Sequence, residues 1–84
     1  DDLLVKIFAG TIVSPETIVA ELKHHRAQHL ESLHTYQAIA SQYFPDRSQL
    51  SHVGRYQYIT LRQGIRAETE WLAWCEESID LLEP

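Results

Sequence analysis

Cysteine is almost missing from this 84-residue chain: Cys75 stands alone, so no internal disulfide can form, and a reducing, cytoplasmic setting is expected. Long apolar runs are missing as well. The longest fall far short of the ~20 residues a membrane span requires, and no basic segment precedes an apolar one, so neither a membrane span nor a signal peptide is expected. Beyond Arg66 there is no basic residue at all, while Glu68, Glu70, Glu76, Glu77, Asp80 and Glu83 crowd the end of the chain. With a net charge of -5, that end repels phosphate, and the chain alone is expected to be a poor nucleic-acid binder. Glycine and proline number three each, too few for a loop-rich or low-complexity protein.

What remains has the composition of a folded protein, 44% hydrophobic and 23% charged. A chain of this length forms one domain at most and buries only about 60% of its unfolded surface, so part of its stability is expected to come from a partner. It opens at Asp1 on "DDLLVKIFAG", which reads as entered in mid-structure, and a longer parent protein is expected.

Three helices are legible. Leu3, Leu4, Ile7 and Phe8 recur at helical spacing over residues 2 to 9, with Gly10 as the stop. Ser14 can cap a second helix whose first position suits Pro15 and whose first turn suits Glu16. From Pro15 to Tyr43 no glycine or proline intervenes, and Ile18, Val19, Leu22, Leu30, Leu33, Tyr36, Ile39, Ala40 and Tyr43 keep the period. "FPDRSQLSH" interrupts it, because Pro45 disfavours helical geometry at Phe44, and Asp46, Ser48 and Ser51 form turns and caps. A third pattern runs over residues 53 to 82 through Tyr56, Leu61, Gly64, Ile65, Trp71, Leu72, Cys75 and Ile79. The expected fold is all-α: a short N-terminal helix followed by a long antiparallel helical hairpin.

The stripe on the last helix is wider than one neighbour requires. Leu61, Ile65, Leu72, Cys75 and Ile79 mark one edge, and Thr60, Gly64, Ala67, Trp71, Trp74 and Ser78 a second about a third of a turn away. A hairpin partner covers one edge, so the other is expected to meet a second molecule.

Residues with possible chemistry are few. Glu21, His25 and His29 share a helical face at a spacing that can hold zinc, but further ligands are missing, so polar histidines on a half-exposed helix are the default; a pH-sensing role depends on burial. Cys75 sits on the apolar stripe beside Glu76 and Glu77, which raise a thiol pKa, and reads as a small buried hydrophobe. Nucleophile, base and orienting group are nowhere grouped, so no enzymatic activity and no cofactor are expected. The aromatic residues Tyr36, Tyr43, Tyr56, Tyr58, Trp71 and Trp74 suit core and interface packing; alternatively Tyr58, Trp71 and Trp74 form a wall for a small aromatic effector. Arg55, Arg62 and Arg66 precede the acidic run on one helix, so an antiparallel two-fold pairing would set each half against its complement.

At this point a resemblance enters. "LLVKIFAGTIVSPETIVAELKHHR" resembles the opening of the C-terminal domain of PadR-family transcriptional regulators of the virulence-activator-alpha type, and "YQYITLRQGIRAETEWLAWCEESIDLL" is similar to that domain's closing helix. Lys6, Phe8, Gly10, Ser14, Pro15 and Glu16 match the opening motif, and Gly64, Ile65, Glu68, Glu70, Trp71, Leu72 and Trp74 the closing one. The histidine-rich first long helix departs from the family pattern. The resemblance implies that residues 1 to 84 are a single helical dimerisation domain, preceded in the full protein by a winged helix-turn-helix, so that a homodimer meets a pseudo-palindromic operator and DNA is touched only through the missing domain. No membrane partner is expected, given the shortness of the apolar runs. The dimer interface is expected to draw on Leu22, Leu33, Tyr36, Leu61, Gly64, Ile65, Trp71 and Trp74.

Overall fold

A computed structural model describes residues 2–8 and 13–84. Among the described residues every regular element is helical: α1 spans Asp2–Phe8, α2 Pro15–Tyr43 and α3 His52–Leu82, with a 3-10 turn at Arg47–Gln49 between the long helices. Ala9, expected as the last residue of this helix, and the expected stop at Gly10 lie outside the described residues.

The starts are set by local hydrogen bonding. Ser14 Oγ accepts from the Thr17 N–H at 3.3 Å with Pro15 following it, and Ser51 Oγ accepts from the Gly54 N–H at 3.0 Å, so each serine satisfies an N–H that the first turn leaves unpaired. α2 ends where Pro45 forbids continuation, its last bond running from the Phe44 N–H to the Ala40 carbonyl. Asp46 caps the 3-10 turn, accepting from the Ser48 N–H at 2.9 Å and from its hydroxyl at 2.7 Å. These two bonds, the side-chain one first, hold the Asp46 carboxyl below its ordinary pKa. Sequence marked this segment only as a turn.

α2 and α3 pack antiparallel along their length, and α1 lies against α2. The core is concentrated at one end of the rod, where the first half of α2 meets the last half of α3: Leu3, Ile18, Val19, Leu22, Cys75 and Ile79, flanked by Ile7, Val13 and Trp74. Polar pairs accompany it. Lys6 Nζ meets Glu21 Oε1 at 3.1 Å, Lys23 Nζ meets Glu83 Oε1 at 3.4 Å, and Arg26 Nη1 meets Glu76 Oε1 at 2.7 Å. From Lys23 to Arg26 the partner moves from Glu83, just past α3, back to Glu76 within it, as the antiparallel register demands.

The molecule measures 52 × 20 × 15 Å with a radius of gyration of 16.7 Å, against about 12 Å for a compact domain of this length. Two helices of 29 and 31 residues joined by a short turn have no third layer to fold around, so much of their surface stays open.

Candidate functional site

The second half of α3 carries a cluster of interacting polar and aromatic side chains. Glu68 and Trp71 sit one turn apart, nearly facing α2, and His29 of α2 reaches both. Its ring stacks on the Trp71 indole, centroids 4.9 Å apart and planes 7° apart, and its Nδ1 lies 2.5 Å from Glu68 Oε2. Trp71 in turn meets Trp74 edge to face, centroids 5.4 Å apart at 87°, an arrangement that suits the quadrupoles of two indoles. With Leu4 and Glu70 they line a shallow cavity of about 160 Å³.

One helical step towards the hairpin tip, Gly64 faces Tyr36 of the same chain. A Cβ built on Gly64 would lie 3.1 Å from Tyr36 Cε2 and 3.3 Å from Cδ2, so this glycine admits the tyrosine ring between the two long helices. The close approach expected of a second molecule is made inside the protomer. Tyr36 and Gly64, with Ile39, Phe44, Thr60 and Leu61, border a cavity of about 410 Å³ in the looser half of the hairpin.

Other expected interface residues also look inward. Leu22 is fully buried in the core, and Leu33 is 9% exposed, because α2 turns its apolar stripe onto α3 and, in its first half, onto α1 as well. Leu61, Ile65, Trp71 and Trp74 are half-buried and keep part of their surface open.

The expected metal set does not assemble among the described residues. There Glu21 is engaged by Lys6 and His29 by Glu68, while His25 keeps only ring contacts with His24 and His29, and no three metal-ligating side chains converge. Tyr58 does not join Trp71 and Trp74 either. It packs on Phe44 at 5.6 Å between ring centroids, beneath the Arg47 guanidinium at 5.6 Å, some 20 Å along α3 from the indoles at 1.5 Å per residue. Cys75 is fully buried, and desolvation, assisted by Glu76 and opposed by Arg26, raises its thiol pKa.

Several open apolar residues lie outside the expected interface set: Leu4, Val5 and Phe8 on α1, and Val53, Tyr56 and Ile59 on α3. Val53 and Ile59 sit off the main α3 stripe and Leu4 and Phe8 were absorbed into the α1 pattern, so periodicity gave them no separate signal. No described helix is long and apolar enough to cross a membrane.

The probable transcriptional regulator Rv1176c of Mycobacterium tuberculosis is 32% identical over 82 residues, which cover 98% of this chain and 43% of that protein. The chain therefore spans less than half the length of this curated relative. No solved structure gives a significant match. The family model described as virulence activator alpha C-term matches residues 1–83. With its two long capped helices, its short leading helix and a match over nearly its whole length, this chain belongs to the virulence activator alpha C-terminal family.

Proposed function

We propose that this chain is the homodimerising C-terminal domain of a PadR-like transcriptional regulator. In this reading the remainder of the protein supplies a winged helix-turn-helix, and the dimer sets two such domains at the spacing of a pseudo-palindromic operator. The relative's description as a probable transcriptional regulator supports the class.

The observation that carries dimerisation is surface area. A compact monomer of 9.7 kDa exposes about 5,100 Å², whereas this chain exposes 6217 Å². The surplus is larger than the roughly 800 Å² that each partner contributes to a standard interface. The proposed interface retains Tyr36, Leu61, Ile65, Trp71 and Trp74 and leaves out the buried Leu22 and Leu33. Among the described residues Arg55, Arg62 and Arg66 take no part in the ion pairs, so the acidic half of an antiparallel second copy is their natural complement. Sedimentation equilibrium at tens of micromolar is expected to give the dimer mass; monomer alone overturns this reading.

A second reading rests on the Trp71–Trp74 corner. Leu4 and the two indoles supply an apolar wall and Glu70 a carboxylate, which fits the edge of a flat cationic aromatic effector. The cavity is smaller than the ~300 Å³ usual for ligand sites. Titrating tryptophan fluorescence with flat cationic dyes and with phenolic acids tests it, and the absence of saturable quenching overturns it.

A further inference from the structure

Phe8, the last residue of α1, is 95% exposed. α1 is pinned to the hairpin by Leu3, 1% exposed, with Ile7 beside it; Leu4 borders Trp71 and Trp74, and Val5 and Phe8 turn the other way. One open apolar side chain needs no explanation; two on the free face of a seven-residue helix make a knob. At the far end of the 52 Å rod lies its converse. The cavity of about 410 Å³ bordered by Tyr36, Ile39, Phe44, Gln57, Thr60 and Leu61 is mainly apolar, open to the side, and left unfilled by the helices that form it.

We infer that knob and cavity are two halves of one contact made twice: in the dimer, Phe8 of each copy enters the Tyr36–Phe44–Leu61 cavity of the other, with Val5 packing at its rim. This rests on the dimer reading and adds to it a named surface and a register. A second copy is the occupant for three reasons. Knob and cavity stand at opposite ends of a rod, so an antiparallel two-fold brings each to the other and closes the assembly at two chains. The charges follow the same operator, since residues 47 to 67 hold Arg47, Arg55, Arg62 and Arg66 and no acid, while the acidic run lies at the other end. Leu4 sits beside Trp71 and Trp74, and Thr60, on the edge of α3 that carries both indoles, borders the cavity, so knob and cavity open towards the same side.

The experiment is sedimentation equilibrium of the 84-residue chain and its Phe8→Ala variant, with circular dichroism on both. Phe8 touches almost nothing in its own protomer, so helical content and melting of the monomer stay unchanged while the dimer dissociation constant rises about a hundredfold or more. In parallel, Phe8→Cys chains mixed with Thr60→Cys chains form an interchain disulfide on mild oxidation, whereas Phe8→Cys alone does not; the fully buried Cys75 stays silent. A Phe8→Ala variant that dimerises at wild-type strength, or a Phe8→Cys chain that couples readily to itself, overturns this contact and leaves dimerisation standing. A wild-type chain that is monomeric throughout overturns both.

Discussion

His29 lies flat on Trp71 and shares its Nδ1 with Glu68, so a single imidazole on α2 fastens two successive turns of α3. The side chains of His29 and Glu68 are 20% and 15% exposed, which makes this the most sheltered polar contact between the long helices. Replacing His29 by Ala leaves a shielded carboxylate without its partner and uncovers an indole face. The hairpin should lose about 1–3 kcal/mol, and tryptophan emission should shift to the red. His29→Gln, which keeps a hydrogen-bond donor but no stacking ring, should lose less. Chemical denaturation followed by fluorescence ranks the three proteins; equal stabilities would deny the contact any weight.

Gly64 is set by Tyr36. Alanine at this position gains up to about 1 kcal/mol in helix propensity, and the added Cβ, 3.1 Å from the ring, displaces a tyrosine that has an open cavity beside it. Gly64→Ala should therefore fall between neutral and a gain below 1 kcal/mol. Gly64→Leu drives a whole side chain into the ring and should destabilise the hairpin by about 1–3 kcal/mol. Thermal melts at a concentration low enough to hold the chain monomeric separate this effect from any change in association.

Cys75 should behave as a core residue. In the native protein an aromatic disulfide reagent at pH 8 should modify it far more slowly than in the unfolded chain, since burial both shields the sulfur and raises its pKa. Cys75→Ser places a hydroxyl among Leu3, Ile18 and Leu22 and should lower stability by about 1–3 kcal/mol, whereas Cys75→Ala loses only the sulfur's packing.

Asp46 gives the hairpin tip an acid dependence. Its folded pKa lies below the ordinary value because Ser48 donates to the carboxylate. A depressed carboxylate pKa means that its stabilisation is complete above the unfolded value, about 3.9, and disappears as pH falls through the lower folded value. Asp46→Ala should be less stable than wild type at pH 7, and the difference should shrink as pH falls below about 3.9, as urea titrations across that range would show.

Much of this fold was legible because its signals are local. A serine followed by proline states a helix start within four residues, and Ser51 repeats the statement for α3; an X-Pro step after Phe44 states an end. The periodic stripes then leave two long helices and a short connection, for which antiparallel packing is the ready solution. The 3-10 turn at Arg47–Gln49 was less visible, since turn-forming residues show that the chain reverses but not how many of them close a helical turn.

What covers each stripe was not legible. Periodicity states how wide an apolar face is, not which neighbour arrives. Gly64 read as the meeting place of two molecules, and the ring above it belongs to Tyr36, 28 positions earlier in the same chain. Glu21, His25 and His29 shared a face, yet Lys6 and Glu68 draw two of them away. Tyr58 joined Trp71 and Trp74 in aromatic character alone, and helix rise separates them.

By itself, then, the sequence determined the helices, their caps and turn and the excess of apolar surface, because each depends on hydrogen bonds and spacings within a few residues. Only the tertiary structure decided that Leu22 and Gly64 serve the protomer, that His29 belongs to Glu68 and Trp71, and that Phe8 is left outside. Those outcomes depend on the rotation and offset of one long helix against another, and a few degrees of either change which side chains meet.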